Sequence, residues 1–190
     1  MRILFAFFAA LFLFGSAALP AQAEDPVATT REARLDQLFV DLKRERNEKA
    51  AERIAARISN EWGQSGSASI DLMMQWSQKA IEDKKFDVAL DFLDQVVTLQ
   101  PAYAEGWNRR ATVHFVMNNF GKSMADIDRT LQLEPRHFGA LSGLAQIMAV
   151  TGHKESALEA WQRVLGIYPM LRSAQDQVGT LSEELAGEGI

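Results

Sequence analysis

The sequence predicts an all-α protein built as a stack of helical hairpins. Three observations carry that expectation. Pro101, Pro135 and Pro169 stand 34 residues apart, the stretches before them share one pattern of large and small residues, and the apolar positions within each stretch recur at helical spacing. The chain has no cysteine, so it has no disulfide, thiolate nucleophile or thiolate metal site, and helix packing must supply its stability.

From the N-terminus, Met1 and Arg2 precede an uncharged apolar run, Ile3 to Phe14, and Ala21-Gln22-Ala23 forms an A-x-A cleavage pattern. Residues 1–23 therefore read as a secretory signal peptide cut after Ala23, which places the mature chain in the periplasm or outside the cell. The competing reading is an uncleaved anchor. It falls short, because even extended to Leu19 the run is below the roughly 20 apolar residues that a spanning helix needs. Residues 24–34, with Pro26, read as a flexible leader. Leu35, Leu38, Phe39 and Leu42 mark one helical face, and Ala51, Ile54, Ala55 and Ile58 mark another after a charged turn at Asn47. Residues 35–67 are thus expected to form a degenerate hairpin that caps the front of the stack, with Glu45 and Lys49 as a weak i,i+4 pair. Gly63-Gln64-Ser65-Gly66-Ser67 joins it to the repeats as a loop and candidate hinge.

Three units follow, 70–101, 104–135 and 138–169. Met73, Trp107 and Leu141 fall in register, as do Trp76, Arg110 and Leu144; in the second helices Phe86 matches Phe120, Ala89 matches Ser123 and Ala157, and Leu93 matches Ile127 and Trp161. Leu171, Ala174, Val178, Leu181 and Leu185 keep helical spacing beyond the last proline, so residues 170–190 should close the stack as a capping helix. A lone hairpin cannot bury its apolar face, so each unit is stabilised by stacking on the next. A large side chain at Ala111 or Ala145 would overpack that interface, at a cost of about 1–3 kcal/mol.

This pattern resembles the tetratricopeptide repeat (TPR) family. Trp107, Ala111, Phe120 and Pro135 stand at its large, small, aromatic and proline positions in the middle unit, and Leu141, Leu144, Ala145, Gly152, Ala157 and Pro169 do so in the next. The first unit departs from it, with Ser77 at the small position and Lys84 at the usual turn glycine. Trp107 to Thr112 and His137 to Leu144 are also similar to exported repeat proteins of alphaproteobacteria. The resemblance implies a right-handed superhelical solenoid with an N-terminal capping hairpin and a C-terminal capping helix.

Catalytic patterns are not found. The chain has no G-x-S-x-G elbow, P-loop, G-x-G-x-x-G after a strand or H-E-x-x-H, and no cofactor or metal is expected. His137 reads as a turn or capping residue at an inter-repeat junction. Arg110 occupies a position that is usually apolar, and two readings of it stand. Its stem packs while the guanidinium reaches Asp126 or Asp128, or it binds a ligand. Gly139 and Gly143 likewise serve either close helix packing or room on the inner surface. The net charge is −5, which disfavours nucleic acid and anionic lipid as partners, and loss of Arg2 with the signal makes the mature chain more acidic.

In the resembling family the first helix of each hairpin lines a concave groove that receives a peptide or a partner helix. The matching positions here hold Met74, Gln78, Asn108, Arg109, Thr112, Phe115, Ser142 and Gln146, flanked by Asp71, Ile81, Glu105 and Ala149. Some members clamp a chaperone's C-terminal carboxylate with paired lysines and asparagines. The matching places here are Met74, Gln78, Gly139 and Gly143, with Asn108 or Arg109 alone able to contribute, so that clamp is not expected. The implied function is a periplasmic, non-enzymatic scaffold or adaptor that binds a protein or peptide of the envelope, without stable membrane insertion once the signal is cleaved. A periplasmic chaperone or an accessory subunit of a secretion or cell-wall machine is the alternative. Oligomeric state is left open.

Overall fold

Turn chemistry cuts the chain into helices of similar length, and the turns repeat as the helices do. The computed structural model describes residues 26–188; the signal peptide expected over 1–23 lies outside the described residues. Nine helices and no strands occur among them. They are α1 (Pro26–Arg44), α2 (Glu48–Trp62), α3 (Ala68–Glu82), α4 (Phe86–Leu99), α5 (Ala104–Val116), α6 (Phe120–Leu133), α7 (Phe138–Val150), α8 (Lys154–Ile167) and α9 (Arg172–Glu188). Helices α3–α4, α5–α6 and α7–α8 pair as hairpins, α4 and α6 each pack on the first helix of the next unit, and α9 closes on α8.

Small residues set the closeness of these hairpins. Ala89, Ala111, Ala145 and Ala157 are buried, and the Ser123 hydroxyl donates to the Ala111 carbonyl across α5 and α6 at 2.8 Å. Ser77, at the departing position of the first unit, is fully buried and donates to the Met74 carbonyl at 2.8 Å. Within each hairpin the turn requires one left-handed residue, and the 34-residue register places Lys84 (φ 57°), Asn118 (φ 59°) and Gly152 (φ 82°) there. Between units each proline turn closes with the same bond, the N–H of Tyr103, His137 and Leu171 donating to the carbonyls of Gln100, Glu134 and Tyr168 at 3.0, 3.1 and 3.2 Å.

The N-terminal hairpin differs from expectation in three respects. Helix α1 begins at Pro26, so residues 26–34, read as a flexible leader, are helical. Glu45 lies in the turn and accepts from the N–H groups of Arg46 and Asn47 at 2.7 and 2.8 Å, which takes it away from the expected pairing with Lys49. Most consequentially, the hairpin's apolar face does not cap the front of the first unit. Leu35, Leu38, Phe39, Leu42, Ile58 and Trp62 form one cluster with Tyr168, Phe138, Ile167, Met170 and Leu171 of the third unit and its junction with α9. The hairpin is a strap laid along the row of inter-repeat turns. The loop that releases it is anchored at the first of those turns, where Tyr103 Oη donates to the Gly63 carbonyl at 2.9 Å and Gln100 Nε2 donates to that of Ser65 at 2.7 Å.

Candidate functional site: the inner surface of α3, α5 and α7

Stacking brings the first helices of the units side by side, and two clefts open along them. One, of about 470 Å³, is lined by Met74, Gln78 and Arg109 with Asp71, Gln75 and Tyr103. The other, of about 130 Å³, is lined by Asn108, Thr112, Phe115 and Gln146 with Gly139 and Gly143. The structure therefore distributes seven of the eight residues expected in the groove over two adjoining clefts. Ser142, the eighth, is half-buried and donates to the Phe138 carbonyl of its own helix at 2.8 Å.

Their availability differs. Gln78, Thr112 and Gln146 are exposed, whereas Met74 is buried in the core of the first unit. Asp71, a flanking residue in the sequence reading, accepts from both the N–H and the hydroxyl of Ser65 and so anchors the loop before α3. The small residues Gly139 and Gly143 serve mainly as room. A Cβ at Gly143 would come within 3.3 Å of Ile127 Cδ1, and one at Gly139 would find ordinary contacts only, from 3.4 Å to the His137 ring outward.

Beside the clefts sits a network that the sequence indicates only in pieces. The Glu105 carboxylate accepts from Arg109 Nη2 and Asn108 Nδ2, each at 3.1 Å, and lies 3.2 Å from His137 Nε2. His137 Nδ1 accepts from the Ala140 N–H at 3.1 Å and caps α7, so Nε2 carries the proton and donates to Glu105. Arg109 Nη1 extends the network to Gln78 Oε1 at 3.3 Å. Burial raises the cost of charge on Glu105, but the His137 and Arg109 contacts outweigh it and hold the carboxyl below its ordinary range. Arg109 is thus neutralised within the wall, and Lys79, which also lines the larger cleft, is paired with Asp83 at 2.8 Å. The His137 ring is also stacked on Trp62 of the strap, 4.0 Å between centroids and 9° from parallel. The register Tyr103, His137, Leu171 was the available signal for this strap site, since all three equivalent positions meet the N-terminal segment.

Arg110 takes the structural role. Its Nε and Nη2 donate to the two Asp126 oxygens at 2.8 and 2.7 Å, Nη1 donates to Asp94 at 2.8 Å, and the guanidinium lies 4.8 Å from the Trp107 ring centre.

Hairpin units of this length, in this register and with their first helices lining a cleft, define a class, the helical-repeat proteins that present an inner interaction surface. No family model matches the chain. Over 184 residues it is 50% identical to a TPR repeat-containing protein of Rhizobium etli, a match covering 93% of this chain and 90% of that one. The chain belongs to the tetratricopeptide repeat proteins. A small glutamine-rich tetratricopeptide repeat-containing protein of Saccharomyces cerevisiae is 27% identical over 117 residues, 62% of this chain and 34% of the yeast protein. Among solved structures, the first TPR of Spaghetti (RPAP3) bound to the HSP90 peptide SRMEEVD has a TM-score of 0.59 at 20% identity, over 62% of this chain and 93% of that one. MamA has a TM-score of 0.58 at 17% identity, over 73% and 81%. These two likenesses show the fold.

Proposed function

We propose that this protein is a non-catalytic scaffold of the bacterial envelope that holds a peptide segment of a partner protein along the inner faces of α3, α5 and α7. The observation that carries this reading is the pair of adjoining clefts: the smaller is lined by uncharged side chains alone, and the larger carries Lys79, Glu82 and Arg109 beside Met74 and Gln78. Gln146 offers an amide and Thr112 a hydroxyl oxygen to a peptide backbone, Phe115 offers an apolar wall, and the Gln78 amide is held between Glu82 and Arg109. Neither cation of the larger cleft is free to select an acidic ligand: Arg109 is bonded to Glu105 and Lys79 to Asp83. Peptide-binding TPR domains among the structural neighbours, including the one bound to an HSP90 peptide, support the partner class. Recognition here does not use a carboxylate clamp, because Met74, Gln78, Gly139 and Gly143 bring no cation to those places.

The envelope location rests on the signal pattern of residues 1–23. Osmotic release of a chain beginning at Glu24 tests it, and retention of Met1 in a cytoplasmic fraction would refute it. The groove is tested with a photoreactive residue at Thr112 in the native host, with Gln162 on the outer face of α8 as control. A discrete adduct from Thr112 that disappears when the small cleft is filled by Gly143→Leu supports the proposal. Capture from Gln162 alone would move binding to the outer face.

A further inference from the structure

The first unit carries an open stacking face, because the strap lies elsewhere. In the second unit this face meets α4: a Cβ on Gly106 would come within 2.7 Å of Val96 Cγ1, and Arg110 reaches Asp94. The equivalents of Gly106, Arg110 and Asp126 in the first unit, one period earlier, are Leu72, Trp76 and Phe92. Leu72 and Trp76 are 42% and 48% exposed, and the Trp76 ring rests on Phe92 at 5.4 Å. With Val88, 43% exposed, Trp76 and Phe92 line a shallow hollow of about 370 Å³ rimmed by Lys79, Asp83 and Lys85. A terminal repeat is expected to turn a polar face outward. This one shows aromatic and aliphatic side chains of the kind that anchor interfaces.

We infer that this face is covered by the same face of a second copy, giving a twofold dimer through α3 and α4. Charge favours that occupant. Lys85, the N-cap of α4, stands three residues before Val88 and Asp91 three after it, so a twofold axis at Val88 sets each Lys85, which in the single chain lies 3.6 Å from Asp83, against the other copy's Asp91. Head-to-tail stacking on α9 is disfavoured, since the exposed face of that helix is polar, with Arg172, Asp176, Gln177, Thr180 and Glu183. Helices of 15 and 14 residues present a face roughly 20 Å in each direction. At about 400 Å² per copy that face is below the range of stable interfaces, so the dimer is weak and concentration-dependent.

Sedimentation velocity on the protein as its host processes it should show monomer at about 1 µM and dimer by about 100 µM. Trp76→Glu should hold it monomeric throughout, and so should Val88→Glu, an exposed position where the fold is not at stake. Lys85→Asp should weaken association about tenfold, and adding Asp91→Lys should restore it. Wild-type protein that stays monomeric at several hundred micromolar would overturn the inference, as would a dimer that survives Val88→Glu.

Discussion

At the scale of single residues, the 34-residue register turns departures into testable strain. Lys84 holds the left-handed turn conformation that Gly152 adopts without cost; for a residue with a Cβ that conformation costs roughly 1–2 kcal/mol. Lys84→Gly relieves it and also loosens the unfolded chain, so a net gain of about 0.5–1 kcal/mol in urea denaturation is expected. Unchanged or lower stability would show that the turn selects its residue for another reason. The Arg110–Asp126 pair is a second case, with side chains 19% and 6% exposed. Arg110→Leu alone leaves a buried carboxylate short of two bonds and should cost about 3–5 kcal/mol. Leu144 and Ala160 fill the equivalent places in the third unit, so adding Asp126→Ala should recover most of that loss. Two additive losses in the double-mutant cycle would mean that the pair is not acting as a unit.

Among the elements, the repeat helices were legible and the strap was not, and the difference is physical. Periodicity names the face of a helix that is buried, as it did for Leu35, Leu38, Phe39 and Leu42, but it does not name the surface that covers it. The proline register and the small positions at Ala89, Ala111 and Ala157 determine neighbours within the solenoid, because each unit has only one way to stack. A hairpin on a five-residue loop has a choice, and here Trp62 settles it by stacking on His137 between Phe39 and Phe138. The same register brings seven of the positions expected in the groove onto two adjoining clefts, while the Glu105 network was not legible, since Glu105 and His137 are 32 residues apart and meet only after stacking. The strap has a weak point as well: Trp62 Nε1 is buried without an acceptor. Trp62→Ala should therefore release the strap locally rather than unfold the stack. Hydrogen exchange should rise at least tenfold in α1 and α2 and stay near wild type in α4 and α6. Uniform loss of protection would mean that strap and repeats fold as one unit.

For the molecule as a whole, Glu105 is where the parts meet. It sits on α5, bonds the residue that caps α7, and through Arg109 reaches Gln78 on α3; through His137 it backs the ring on which the strap is stacked. Its carboxyl is held below the ordinary value of 4.5 in the folded state, with burial opposing ionisation and the His137 and Arg109 contacts overcoming that opposition. A depressed folded value means that its contribution to stability is complete above the unfolded value and is lost as pH falls through the folded one. Thermal melts should therefore hold steady down to about pH 5 and then decline as the carboxylate takes up its proton. Glu105→Gln removes the charge at every pH, and so it should lower the melting temperature at pH 7 and flatten the decline below pH 5. Because one group ties three units and the strap, the acid transition of the wild type should carry α1–α2 and the inner surface together. If Glu105→Gln keeps the wild-type acid slope, the pH dependence belongs to other carboxylates and Glu105 is a packing residue alone.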